Sequence, residues 1–277
     1  MVDLHTHSDA SDGDLSPDAL VDAAASCGIT AMALTDHDTM AGLAAAERRS
    51  EERGIRFIPG VETEVEFAPG EFHLLGLGMR TYPDGPLEVF LEEIRRRRLE
   101  RNEEMVALMQ ADGLPMDLGS LEALAGGDVV GRMHFARWLI DAGKARNVPD
   151  AFDRWLGSGK PYHVPKKRPK LEEALAAIAA AGGKSVAAHP LSLWISWGRL
   201  GKYLPEWKEM GLDGVEALHS GASKREAARL KEMAAAEGLF ITGGSDFHGN
   251  GRPDRKLGFG AAGAALDESL LEPFDNA

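Results

Sequence analysis

Residues 2–14, Val-Asp-Leu-His-Thr-His-Ser-Asp-Ala-Ser-Asp-Gly-Asp, decide how the rest of the chain is read. Val2 and Leu4 alternate with Asp3 and His5, the pattern of a short strand whose successive side chains point to opposite faces. His5 and His7 therefore project from one face, where both imidazoles can reach a single metal ion. Asp12 follows a small, polar, turn-forming run, so its carboxylate can swing back over the same pocket. Imidazole with carboxylate suits zinc, manganese or iron better than calcium or magnesium. Incidental histidines on a terminal strand are the plain alternative, and the rest of the chain decides between the two.

Outward from this stretch, Ser16-Pro17-Asp18 is a helix start, with Ser16 as cap, Pro17 in the first turn and Gly28 as the stop. Ile29–Thr35 is a short apolar strand that delivers Asp36-His37-Asp38. A second helix runs to Gly54, and a strand from Arg56 to Pro59 delivers Gly60-Val61-Glu62. Glu71–Met79 is a strand carrying His73. A long helix from Pro86 to about Gly113 contains Arg95-Arg96-Arg97-Arg98, whose glutamate neighbours at i,i+4 spacing make a self-paired, solvated face. From Leu114 to about Pro169 the alternation lapses into short helical pieces. It then resumes: a helix from Lys170, a strand ending in His189-Pro190, a helix over Leu200–Met210 whose Pro205 predicts a late start or a kink, a strand ending at Leu218 before His219, a helix from Ser223, and Leu239–Gly243 delivering Gly244-Ser245-Asp246-Phe247-His248.

Short strands alternating with helices imply a parallel sheet or a closed barrel. A barrel gathers strand ends on one rim, where such folds keep their chemistry, whereas an open sheet strings them along a line. The polar residues recur at those ends, so the barrel is the better reading. The expected organisation is a barrel over 1–113 and 170–277, with a helical insertion over 114–169 lying above its C-terminal rim.

At 277 residues, 44% hydrophobic and 27% charged, the chain reads as an ordinary globular protein whose length one barrel can absorb. It shows no apolar run long enough to span a bilayer and no charged leader with an apolar core; the one cysteine, Cys27, can form no internal disulfide, so a cytoplasmic location is expected. The net charge of −13 argues against duplex DNA as a partner. Three bound divalent cations would bring it to about −7 and make the site itself locally positive, so a phosphorylated small molecule remains compatible.

The ligand-capable residues at strand ends or at the start of the insertion helix are His5, His7, Asp12, His37, Glu62, His73, His134, His189, Asp246 and His248, which include seven of the nine histidines. His163 and His219 fit structural or supporting roles better. The order His5-Thr6-His7, Asp12, Thr35-Asp36-His37, Gly60-Val61-Glu62, Ala188-His189-Pro190 and Gly244-Ser245-Asp246-Phe247-His248 resembles the PHP (polymerase and histidinol phosphatase) superfamily from end to end. Gly131-Arg132-Met133-His134 and Gly159-Lys160-Pro161-Tyr162 resemble its bacterial branch of 3′,5′-nucleotide bisphosphate phosphatases and short-RNA 5′→3′ exoribonucleases.

The resemblance implies an α/β fold, a distorted (β/α)7 barrel, with three divalent metal ions, manganese being usual in this branch and zinc, iron or magnesium being alternatives. Carried over residue by residue, it assigns one ion to His5, His7, Glu62 and Asp246, a second to Glu62, His73 and His134, and a third to Asp12, His37 and His248. The implied reaction is phosphate-ester hydrolysis by a hydroxide bridging two ions about 4 Å apart. Arg132 is the expected phosphate clamp, since guanidinium binds phosphate bidentately, and a surface ion pair is its alternative. His189 is expected to contact the phosphate or protonate the leaving oxygen, with Asp246 in the catalytic set. Asp36 is expected to orient His37 or another ligand. Trp194 and Trp197, read as lying in a loop, can stack on a base or pack the insertion against the barrel. Lys166, Lys167 and Arg168 read as a solvated loop, with a second phosphate as the less favoured use.

The first functional expectation is removal of the 3′-phosphate from nucleoside 3′,5′-bisphosphates, for example adenosine 3′,5′-bisphosphate to AMP. An exoribonuclease acting on short 5′-phosphorylated RNA comes second, and a histidinol phosphatase third. An amidohydrolase also begins with His-x-His, but it commonly bridges its metals with a carboxylated lysine, and Glu62 holds that place here. A purely structural PHP domain tends to lose ligands, and none of the pattern is missing.

Overall fold

A computed structural model describes residues 1–80, 85–125, 130–249 and 252–275. Contacts group the chain into two units, Met1–Leu91 with Arg168–Ala277, and Glu92–Lys167. The first holds one seven-stranded sheet in the order β1 (Val2–Asp3), β2 (Ala31–Leu34), β3 (Arg56–Val65), β4 (Phe72–Leu77), β5 (Lys184–Ala187), β6 (Gly214–His219) and β7 (Phe240–Gly244). The ends of β1 and β7 meet: His7 N donates to Phe247 O at 2.9 Å and Asp246 N to His5 O at 2.9 Å. With Thr6 bridging Phe247 in parallel, the sheet curls into a near-barrel.

The sheet is mixed. β4 runs antiparallel to both β3 and β5, and the other neighbours are parallel. Residues 66–71 alone join β3 to β4, too few for the crossover that parallel strands require, so the chain doubles back. Reversal brings the start of β4 beside the end of β3, with His73 paired to Glu64. His73 thus reaches the rim from the opposite chain direction to its partners. β3 is also longer than its apolar run implied, so Glu62 sits within the strand rather than beyond it.

The helices follow their caps. Ser16 Oγ accepts from Ala19 N at the head of α1 (Pro17–Ser26), and α2 (Leu43–Arg53) ends at left-handed Gly54. α7 (Leu171–Ala180) packs on β5, and α9 (Lys224–Ala236) on β6. α8 (Trp197–Met210) starts at Trp197, earlier than Pro205 implied, because Ser196 Oγ caps it by accepting from Arg199 N. Val2, Leu4, Ala33, Leu75, Leu77, Val186 and Phe274 form a buried apolar core in this unit. Truncating one such leucine to alanine costs about 2–5 kcal/mol.

The second unit comprises most of α3 (Pro86–Ala111), then α4 (Leu118–Ala125), α5 (Arg132–Asp141), and α6 (Val148–Ala151) continued by a π-helical turn over Phe152–Leu156. Met105, Met109, Phe135, Leu139 and Leu156 form its own core. The division at residues 91/92 therefore falls inside α3, whereas the sequence reading placed the first boundary after it, at 113.

Candidate metal centre

The rim of the barrel is assembled from the strand ends and the residues that follow them. β1 leads to His5 and His7, β2 to His37, β3 carries Glu62, β4 carries His73 as its second residue, β5 leads to His189, β6 ends at His219, and β7 leads to Asp246 and His248. Their donor atoms fall into four groups, each within 4.8 Å: His7 with Asp12, His37 and His248; His5 with His189 and Asp246; His5 with His7 and Glu62; His37 with Glu62 and His73.

Glu62, 1% exposed, is the hub. Its Oε1 lies 2.9 Å from His73 Nδ1 and 2.9 Å from His189 Nε2. Its Oε2 lies 3.2–3.4 Å from His37 Nδ1, His7 Nε2 and His5 Nε2. Burial alone would raise its pKa, but the facing His37, His5 and His73 imidazoles hold it well below the ordinary glutamate value. Burial conversely pulls His7 down, and Asp246 and Glu62 override that, pushing it up to about 10. These carboxylates demand positive charge in the space they enclose.

Asp246 is divided between two tasks. Its Oδ1 lies 3.3–3.5 Å from His5, His7 and His248. Its Oδ2 lies 3.1 Å from His219 Nε2 and receives Arg255. Gly221 N donates to His219 Nδ1 at 3.0 Å, so the His219 proton sits on Nε2 and is donated to Asp246. His219 therefore supports a carboxylate rather than standing alone.

Asp12, a third exposed, lies 3.3 Å from His248 Nε2 and 3.9 Å from His37 Nε2. Asp36 holds its loop rather than an imidazole: its carboxylate accepts from Ser8 N, Ser8 Oγ and Ser11 Oγ at 2.6–2.8 Å. Backbone strain concentrates at this rim. Asp38, His189, Trp194 and Asp246 all have positive φ, which non-glycine residues adopt only when surrounding contacts enforce it.

These residues open into a cleft of about 360 Å³. His37, His73 and Asp246 line it with apolar Pro190, Leu191 and Ala222 and with Arg252 and Arg255. The two tryptophans differ. Trp194 is 73% exposed, whereas Trp197 is the first residue of α8 and lies under the Arg229 guanidinium, 4.7 Å from its ring. Arg168 pairs with Glu64. Arg132 and His134 belong to the second unit, where the Arg132 guanidinium lies 5.5 Å from the centre of the Phe152 ring and His134 Nδ1 accepts from Gly131 N at 2.9 Å.

The donor set fits divalent cations. His7 Nδ1 is buried without a hydrogen-bond partner, and imidazole nitrogens and carboxylate oxygens, the donor types such ions take, converge within 4.8 Å of one another. The sequence reading passed over Glu216, Asp3 and Arg255. Glu216 is fully buried against His5. Asp3, equally buried, accepts from Ser245 N, Ser245 Oγ and Gly258 N, tying β1 to the loops around β7. A charged residue inside an otherwise apolar barrel strand was the available signal for both.

A model of the PHP domain matches residues 3–160. The chain is 35% identical over 259 residues to a 3′,5′-nucleoside bisphosphate phosphatase of Chromobacterium violaceum, covering 93% of this chain and 90% of that protein. It is 37% identical over 247 residues to a 5′-3′ exoribonuclease of Haemophilus influenzae, covering 89% of each. A solved structure from Chromobacterium violaceum, described as an amidohydrolase with bound sulfate and no metal, superposes with a TM-score of 0.82 at 33% identity, covering 96% of this chain and 91% of that one.

Proposed function

This chain belongs to the PHP domain family, and from that premise we propose that it removes the 3′-phosphate from nucleoside 3′,5′-bisphosphates. It is a metal-dependent hydrolase with a PHP-type phosphoesterase site. The observation that carries the reading is Glu62, one buried carboxylate faced by five imidazoles on the floor of a cleft of mononucleotide size.

The proposed ligands are His5, His7, Glu62 and Asp246; Glu62 and His73, with His134 carried forward from the resemblance; and Asp12, His37 and His248. Divalent ions there, manganese by preference, supply Lewis acidity and lower the pKa of bound water. The chain's own residues do the rest. His189, with Ser192 Oγ 3.0 Å from its Nδ1, lines the cleft with Nε2 2.9 Å from Glu62 Oε1, and is proposed to contact phosphate or, once protonated at Nε2, to give a proton to the leaving oxygen. Burial lowers the His189 pKa, favouring the neutral ring. Arg132 is proposed to clamp phosphate, and Trp194 offers an open face to a base.

The second reading, exonucleolytic trimming of short 5′-phosphorylated RNA, is favoured by the similarity to the exoribonuclease of Haemophilus influenzae and uses the same residues. An amidohydrolase assignment has less support, because Glu62 occupies the centre that a carboxylated lysine would need. The deciding experiment is phosphate release by manganese-loaded protein from adenosine 3′,5′-bisphosphate, histidinol phosphate, AMP and a 5′-phosphorylated dinucleotide. Adenosine 3′,5′-bisphosphate is expected to be turned over fastest. Turnover of histidinol phosphate alone sinks the proposal, and amide cleavage without phosphate release sinks the class.

A further inference from the structure

Glu216 stands in β6, with no exposed surface, and its two oxygens serve two different histidines. Oε1 accepts from His5 Nδ1 at 2.9 Å. Oε2 accepts from the backbone N–H of His189 at 2.7 Å. The first bond keeps a proton on His5 Nδ1, so Nε2, 3.4 and 3.5 Å from Glu62 and Asp246, is the nitrogen that would face a bound ion. The second bond holds a residue whose φ of 24° is otherwise unfavourable, and so fixes where the His189 ring enters the cleft.

Neighbouring strands are shaped to admit this arrangement. The β6–β7 register shifts between Glu216 and Leu218. Opposite, Gly244 leaves room where a Cβ would lie 2.2 Å from His5 Cβ and 2.9 Å from Glu216 Oε1. A buried carboxylate is costly unless both oxygens are used, and here they are.

We propose that Glu216 is a positioning residue that sets the metal-facing nitrogen of His5 and the cleft position of His189 together. The inference rests on the reading of His5 as a metal donor. A glutamine of the same shape cannot replace it, because its amide group turns a donor toward one of the two N–H groups that Glu216 accepts.

The test is manganese titration of the full-length Glu216→Gln protein, its fold checked by circular dichroism, with hydrogen exchange at the His189 amide. The expected results are a dissociation constant raised about 10- to 100-fold and faster exchange at His189. A folded variant that binds manganese as the wild type does and protects His189 equally overturns this inference alone. A wild-type chain that binds no divalent ion overturns the metal reading as well. Should the variant not fold, imidazole 15N spectra of the zinc-loaded wild type decide. A proton on His5 Nδ1 with a protected His189 amide supports the proposal, and a proton on His5 Nε2 or an unprotected amide overturns it.

Discussion

His189 Nε2 lies 2.9 Å from Glu62 Oε1. Ser192 Oγ donates to Glu71 O at 2.9 Å, so it accepts from His189 Nδ1, and the His189 lone pair is turned on the carboxylate. Two electron-rich atoms at this distance need a proton or a cation between them. His189→Ala is expected to lower kcat for phosphate release by about 10²- to 10⁴-fold, the range for a lost acid–base group. Steady-state assays check it, and a kcat within about threefold of wild type removes His189 from the reaction.

Glu62→Gln takes the negative charge from among five imidazoles. Manganese content after dialysis, measured by mass spectrometry, should fall, and phosphate release should drop by at least about 100-fold. Full metal content together with full activity contradicts the hub assigned to Glu62.

Trp194 and Trp197 should separate on substitution. Trp194→Ala is expected to raise KM for a nucleoside bisphosphate by the equivalent of about 1–3 kcal/mol, the worth of a stacked base, with kcat little changed. Trp197→Ala removes a ring packed under Arg229 and should lower the melting temperature instead. An unaltered KM in the first variant shows that no base stacks there.

Metal should stabilise the fold. At manganese one hundred times above Kd, linkage gives about 2.7 kcal/mol, or roughly 5–10 °C in Tm for a domain of this size. Calorimetry with manganese and then with excess chelator checks this, and identical traces rule out binding to the native chain.

Far from the rim, Asp22 accepts from Arg49 and Arg53, which hold its pKa down to about 2 from 3.8. A depressed carboxylate contributes stability that is present above 3.8 and lost as pH falls through 2. Asp22→Asn should therefore lower the urea midpoint slightly at pH 7, the pair being exposed, and leave it unchanged below pH 2. A difference that persists undiminished in acid assigns the effect to something other than the ion pairs.

Most rim residues were legible because they follow an apolar run at a strand end; His73, at the start of the reversed β4, is the exception. The reversal of β4 was not legible, since the apolar periodicity of Phe72–Leu77 is the same in either direction. Only the brevity of residues 66–71 carries that information. Trp197 read as loop because Pro205 argued against an early helix start, and the Ser196 cap outweighed it. Glu216 escaped notice because a lone glutamate in Gly-Val-Glu-Ala-Leu-His carries no ligand spacing, and its role depends on strands 27 and 211 residues away. The boundary inside α3 follows from where Met105 and Met109 find apolar partners, which helical periodicity alone does not say.

The seam between β1 and β7 joins residues 5–7 to residues 246–247, so the imidazoles and carboxylate that face one another there come from segments made far apart in time during synthesis. A growing chain displays His5 and His7 long before Asp246 exists to share a cation with them. Such a distant pairing is slow to close, and the full donor set exists only after it. The donor groups around His5 and His7 are therefore completed only once the strands between them and Asp246 have folded.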